Sequence, residues 1–231
     1  MVSVVAVAVP SVPTKPARNP RSTAKNSPLS GRVHDASGTF DESYYERFYE
    51  SHASRVYGHH EVEHLCRGVT ELLAWYGADL RSVLDVGAGT GLWRDWFRKN
   101  KPAVRYRSTE WSAYACERYG HERRDISRWR AKERFDLVVC QGVLPYLDDD
   151  AAARAIENLA AMCAGFLYLE AITTRDLRDV VDRERTDTEG MRGRSGHFYK
   201  SRLKPHFQAV GCGLFYRRSG PLSFYELEAT S

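Results

Sequence analysis

Asp85 stands in an aliphatic run, Val83-Leu-Asp-Val86, and glycines follow at 87, 89 and 91 before Leu92-Trp93 resume an apolar pattern. The run reads as a buried strand, and the residues after Gly91 read as a helix starting near Leu92. The turn between them needs glycine, because it must visit backbone conformations that a Cβ forbids and must let a ligand approach the main chain. The spacing is G-x-G-x-G, whereas the dinucleotide pattern G-x-G-x-x-G would require glycine where Leu92 stands. A nucleoside without a pyrophosphate is therefore the better match, and a dinucleotide oxidoreductase is disfavoured.

The rest of the chain must hold this turn. At 231 residues it suffices for one α/β unit with tails and not for two. Residues 1–34 carry five basic residues and no acid, which leaves the remaining 197 residues at −1 despite the formal +4 of the whole. A concentrated basic face for nucleic acid is thus not signalled. Five of the nine prolines fall in the same tail, so residues 1–38 read as a disordered basic segment and residues 39–231 as the folded domain. The five cysteines show neither C-x-x-C pairing nor a disulfide framework, and no apolar run approaches a membrane span. These features predict a cytoplasmic protein with no membrane association, as a monomer or homodimer.

Asp41 to Ser51 reads as a helix bearing Tyr44, Tyr45, Phe48 and Tyr49, and His59 to Tyr76 as a second with an apolar stripe from Val62 to Tyr76, closed at Gly77. Together, residues 39–77 form predicted cap helices. Strands are predicted at Val104–Glu110, around Leu137–Cys140 and at Gly165–Ala171, with a helix over Ala151–Cys163 whose positive end the acids Asp148 to Asp150 stabilise. Residues 173–199 are long and charged, as a lid or acceptor-pocket insertion would be. A helix ending near Val210-Gly211 and strands over Gly213–Arg217 and Leu222–Glu228 complete the expectation.

With these residues in view, Val83 to Gly91 resembles motif I of the class I S-adenosylmethionine-dependent methyltransferases. Ordered matches continue through Glu110, Arg124-Asp125-Ile126, Phe135 to Gly142 and Gly165 to Ala171. The resemblance implies an α/β fold: a doubly wound, mostly parallel seven-stranded sheet with a C-terminal antiparallel strand pair, preceded by N-terminal helices. It implies S-adenosyl-L-methionine as cofactor, held by Asp85, Gly87, Ala88, Gly89 and Gly91. Glu110 would take the ribose hydroxyls, Trp111 would border the adenine, Asp125 and Ile126 would form the adenine site, and Cys140 and Gln141 would lie at the ligand-binding strand edge. Arg55 is the candidate for the methionine carboxylate.

Tyr45 and Tyr49 are candidate acceptor contacts through the segment before motif I. Tyr146 replaces a histidine found in many small-molecule enzymes of this kind, leaving the base open, and His197 after Gly196 is the other candidate for base or acceptor contact. A small-molecule methyl acceptor is favoured. RNA or protein methylation remains an alternative, as does a non-catalytic nucleoside-binding protein of the same fold. His60-Glu-Val-Glu-His64 matches the H-E-x-x-H zinc-peptidase pattern, but at ~100° per residue both imidazoles fall opposite the apolar stripe, so a solvated face is expected and no metal is assigned.

Overall fold

The computed structural model describes residues 40–51, 58–182 and 186–229. The chain divides into units of residues 1–33 and 34–231, and every described residue belongs to the second. The predicted tail over 1–38, and Arg55, lie outside the described residues.

A seven-stranded sheet organises the second unit: β1 Ser82–Val86, β2 Arg105–Glu110, β3 Glu122–Arg123, β4 Phe135–Gln141, β5 Cys163–Glu170, β6 Phe207–Gly211 and β7 Leu214–Arg217. Their order is β3-β2-β1-β4-β5-β7-β6. Neighbours from β3 to β5 pair in parallel, and β7 runs antiparallel to both β5 and β6. The order reverses at β1, between β2 and β4, and ligands of open α/β sheets gather beside such a reversal at the carboxyl ends of the strands.

Period-two alternation assigns each strand face to a layer. Leu84, Val86, Val138, Cys140, Leu167 and Leu169 pack with α5 (Asp149–Met162) and α7 (Gly196–Leu203). Val83, Leu137, Val139, Phe166 and Tyr168 pack on the other face with α2 (His59–Trp75) and α3 (Leu92–Asn100). Shorter helices α4 (Ala113–Tyr119) and α6 (Thr174–Asp179) complete the crossovers. The predicted stripe of α2 supplies Val62, Cys66, Val69 and Leu73 to this second cluster, and the helix closes at Gly77 with φ +76°. Asp148 caps α5 by accepting from Ala151 N–H at 2.7 Å. Among the described residues no helix is long and apolar enough to cross a membrane.

The carboxyl-terminal boundaries differ from expectation. The predicted helix to Val210 ends at Leu203, and Phe207–Gly211 is instead the first hairpin strand. The Gly211-Cys212-Gly213 turn, all three at positive φ, closes the hairpin. Leu222–Glu228 is consequently not a strand; Leu222 and Phe224 instead cover the α2 side of the core.

The first helix also departs from regular geometry. An α-helical turn, α1 (Glu42–Tyr45), passes into a π-helical turn over Glu46–Glu50, closed by Ser51 N–H donating to the Glu46 carbonyl at 2.9 Å. In α geometry residues five apart would differ by ~140°. The wider i→i+5 turn brings Tyr44 and Tyr49 together, with ring centroids 6.0 Å apart.

Candidate functional site

The turn after β1 is fixed from several sides. Gly87 and Ala88 N–H donate to the Thr109 carbonyl at 2.9 and 3.1 Å. Gly89 N–H donates to Glu110 Oε2 at 3.0 Å, and the Gly89 carbonyl is 3.1 Å from His121 Nε2. That carbonyl can only accept, so Nε2 carries the proton and Nδ1 accepts from Ser108 Oγ at 2.8 Å. Burial, with Arg94 nearby, pushes the His121 pKa down to about 4, which keeps the ring neutral. A Cβ on Gly87, at φ +75°, would lie 2.1 Å from Val143 Cγ2. A Cβ on Gly89, at φ +54°, would meet nothing within 4 Å. The main chain is therefore bare to open space at Gly89, as a cradle for a closely approaching ligand requires.

That space is a narrow cleft of about 80 Å³ at the carboxyl edge of β1, β4 and β5. Asp85, Gly87, Gly89, Tyr49, Gln141 and Glu170 are among the residues lining it. Asp85 is 2% exposed and accepts from the Tyr106 hydroxyl at 2.6 Å. Burial raises its pKa to about 7, the Tyr106 bond opposing and the Glu110 charge adding to the rise. Glu110, also buried, accepts from Trp111 and Ser112 N–H through Oε1 at 2.6 and 3.0 Å, besides Gly89 N–H. Its pKa is raised by burial against the pull of these three amides. Gln141 accepts from Trp93 Nε1 at 2.9 Å and donates to Glu170 at 3.2 Å, tying α3, β4 and β5 together at the cleft wall. Buried Asp85, Glu170 on the wall and the glycine backbone line the cleft, with Glu110 behind the Gly89 amide, and such a set can accept ligand hydroxyls, balance a cationic group and let a flat nucleoside lie on the main chain.

Other expected residues fall elsewhere. Trp111 is 40% exposed at the end of β2, with the Arg123 guanidinium 5.7 Å from its ring. Asp125 caps its own turn, accepting from Ser127 N–H and Oγ at 2.9 and 2.7 Å. The Ile126 side chain and the Cys140 thiol are packed in the α5 layer, so any ligand contact they make falls to their main chain. Tyr45 does not line the cleft: it is 3% exposed and packs on Tyr114 and Tyr119. The switch into the π turn leaves Tyr49 as the tyrosine of the first helix that lines the cleft. His197 is exposed in the first turn of α7, outside the cleft lining, and no hydrogen bond, ion pair or ring contact engages its side chain among the described residues. His60 and His64 are exposed with ring centroids 4.6 Å apart, and the described residues hold no group of three His, Cys, Asp or Glu able to share a metal ion.

Tyr146, in a single 3₁₀ turn over Leu144–Tyr146, donates to Asp187 Oδ2 at 2.9 Å and meets the Phe40 ring edge-on at 5.2 Å. Buried Arg194 clamps this turn by donating to the Leu144 carbonyl at 3.0 Å, the Leu147 carbonyl and Asp149 at 2.8 Å. Arg192 N–H adds a bond to the Pro145 carbonyl at 2.7 Å. Sequence reasoning missed Tyr44, Trp93, Tyr106, His121, Glu170, Asp187 and Arg194. Tyr44 lay within the aromatic stripe, whereas Asp187 and Arg194 were indistinguishable from the other charges of a charged stretch.

A family model described as a methyltransferase domain matches residues 57–212. No curated protein matches the chain significantly. Among solved structures, the sugar N-methyltransferase KedS8 from Streptoalloteichus sp. ATCC 53650 superposes with a TM-score of 0.54 at 17% identity, covering 86% of this chain and 100% of that one. An S-adenosylmethionine-dependent methyltransferase from Clostridium acetobutylicum ATCC 824 gives 0.51 at 13% identity over 68% and 91% of the two chains. DesVI of Streptomyces venezuelae gives 0.51 at 16% identity over 67% and 90%. At these identities the likeness is one of fold.

Proposed function

The chain belongs to the class I S-adenosylmethionine-dependent methyltransferases, and we propose that it transfers the methyl group to a small-molecule acceptor at the cleft beside Gly89. The observation that carries this reading is the Gly89 peptide, held between Glu110 and His121 and bare toward the cleft. Glu110 takes the ribose hydroxyls, which would compete for the oxygen now accepting from Gly89. Gly87, Ala88, Gly89 and Gly91 lie along the nucleoside, and Trp111, Asp125 and Ile126 border the adenine, the last through its main chain. Cys140, by its main chain, and Gln141 lie at the strand edge, Asp85, neutral in the ligand-free chain, is drawn into its ionised form by the cationic end and balances it, and Arg55 meets the methionine carboxylate.

S-adenosylmethionine, when bound, supplies an electrophilic methyl on a sulfonium. The chain's own task is to hold the acceptor in line, exclude water and remove a proton if the acceptor bears one. Positioning of this kind can be worth about 7–11 kcal/mol of barrier, and proton removal about 10²- to 10⁴-fold. Tyr49 faces the cleft and its ring can stabilise the cation. Residues 173–199 include the Arg192–Arg194 clamp on Tyr146, which supports their role as an acceptor-pocket insertion within a domain over 39–231. Between the two base candidates we favour Tyr146, linked to a buried carboxylate, over exposed His197. A small acceptor accords with the near-neutral balance of residues 35–231, and KedS8, of similar fold, is described as acting on a sugar.

Transfer of radiolabelled methyl from S-adenosylmethionine into pooled small metabolites, RNA and protein tests the reading. Label in the small-molecule fraction, insensitive to salt, is expected. Label confined to RNA, with steep salt dependence, would replace it.

A further inference from the structure

A second cavity, of about 220 Å³, lies between α3 and the outer strands of the sheet. It is roomy beside the roughly 10–15 Å³ that a single water requires. Arg94 and Arg98 of α3, Arg107 and Ser108 of β2, and Glu122 of β3 are among the residues lining it. Tyr106 lines it too and donates its hydroxyl proton to Asp85, which lines the cleft. The two spaces are therefore neighbours with one residue pair between them.

Most polar groups around this cavity are already engaged. Arg107 donates to Glu122 through Nε and Nη2 at 2.7 and 2.8 Å and to Glu133 through Nη1 at 3.0 Å, which uses its fork and occupies Glu122. The Tyr106 proton goes to Asp85 and the Ser108 proton to His121. The two arginines of α3 differ. Arg94 is 9% exposed and donates through Nε to Asp95 at 3.0 Å and through Nη1 to the Tyr119 carbonyl. Its Nη2, which would lie 2.6 Å from a Cβ on Gly91, has no acceptor among the described residues. Arg98 follows at i+4 on the same helix face, and no hydrogen bond or ion pair engages its side chain among the described residues.

A buried cation needs a full set of partners. Asp95, the acid on Arg94, has a side chain 44% exposed, so water screens that pair and leaves the guanidinium undercompensated. The positive field reaches His121, whose pKa is held low by burial first and then by the charges of Arg94 and Arg98 among other groups. A tetrahedral oxyanion supplies what is missing, because its oxygens accept paired N–H groups from a planar fork. Two cations facing one polar space favour a doubly charged group over a single carboxylate.

We propose that this cavity is a second ligand site, which takes a phosphate-class oxyanion between Arg94 and Arg98. Free phosphate and the phosphoryl group of a small organic molecule present the same oxygens to it. The site is separate from the methyl-transfer cleft and stands whatever the acceptor is.

The test is calorimetric titration of the full-length protein with inorganic phosphate and with glycerol 3-phosphate, in chloride at about 0.15 M, where exposed charges are screened beyond about 8 Å. Saturable one-to-one binding is expected. Arg98→Gln should weaken it by about tenfold or more, as the loss of one charged hydrogen bond does. Lys99→Gln removes the same charge from the next exposed position, outside the cavity lining, and should leave affinity within about twofold. Arg94→Lys keeps the charge and loses the fork, and should weaken binding as Arg98→Gln does. Arg98 is exposed, so its variant judges the site whether or not the Arg94 variant folds. Tighter binding of glycerol 3-phosphate than of phosphate would support the site with an organic phosphate as its ligand, and the reverse order would support it with the free ion. Failure of both to saturate the wild-type protein, wild-type affinity in Arg98→Gln, or an equal loss in Lys99→Gln overturns the site.

Discussion

Glu110→Gln separates two roles carried by one carboxylate. In the wild type Oε1 accepts two amides and Oε2 accepts Gly89 N–H. The substituted amide keeps one oxygen, which is best used facing Trp111 and Ser112. Its NH₂ then confronts Gly89 N–H, leaving a buried donor unsatisfied at about 1–3 kcal/mol. For a domain of this size that lowers Tm by about 2–4 °C per kcal/mol. The variant also loses a charged acceptor for the ribose hydroxyls, worth about 1.5–3 kcal/mol, or about tenfold to a hundredfold in affinity. Calorimetry with S-adenosylhomocysteine and thermal melts of the ligand-free variant read the two effects separately. A lowered Tm with affinity within about twofold of wild type would refute the ribose role and leave Glu110 as a clamp on the turn.

Other expectations follow from the same geometry. Asp85 is protonated in the folded chain up to about pH 7 but titrates near 3.8 when exposed, so its contribution to stability is full below 3.8 and is lost as pH rises toward 7. Asp85→Asn should flatten that decline in the ligand-free protein, measured by scanning fluorimetry across the window, and an unchanged slope would assign it to other groups. Gly87→Ala should destabilise by about 1–3 kcal/mol through overlap with Val143, plus about 1–2 kcal/mol for its left-handed conformation; Val143→Ala in that background should recover the overlap part, and chemical denaturation would expose any failure to do so. Arg194→Lys cannot serve the Leu144 and Leu147 carbonyls and Asp149 together. Losing one charged bond costs about 1.5–3 kcal/mol, and hydrogen exchange should show residues 144–147 opening more readily; unaltered protection there would deny the clamp.

Much of the architecture was legible because it is local. The strand before Asp85, the glycine turn, the α2 stripe and Glu110 each announce themselves within a few residues of sequence, and parallel pairing joins them at one sheet edge. The hairpin falls one strand earlier than the pattern suggests because Phe207–Gly211 is too short to separate a strand from a helix end by periodicity, and Gly211 reads equally well as a helix stop. Tyr45 and Tyr49 looked equivalent on a helix; a π turn, which no pattern announced, gave one to the core and the other to the cleft. Asp187 and Arg194 escaped notice because their partners, Tyr146 and Leu144, lie 41 and 50 residues away. His121 was silent for a similar reason, its ring meeting Gly89 across 32 residues.

The central claim, that the cleft beside Gly89 is built for a sulfonium nucleoside, is tested most directly by calorimetric titration of the purified chain with S-adenosylmethionine, S-adenosylhomocysteine and NAD in one buffer, with and without a zinc chelator. Saturable binding of the first two, none of NAD, and indifference to chelator are expected. Binding of NAD alone, or binding that needs zinc, would contradict the reading of Asp85 to Gly91 and of Glu110.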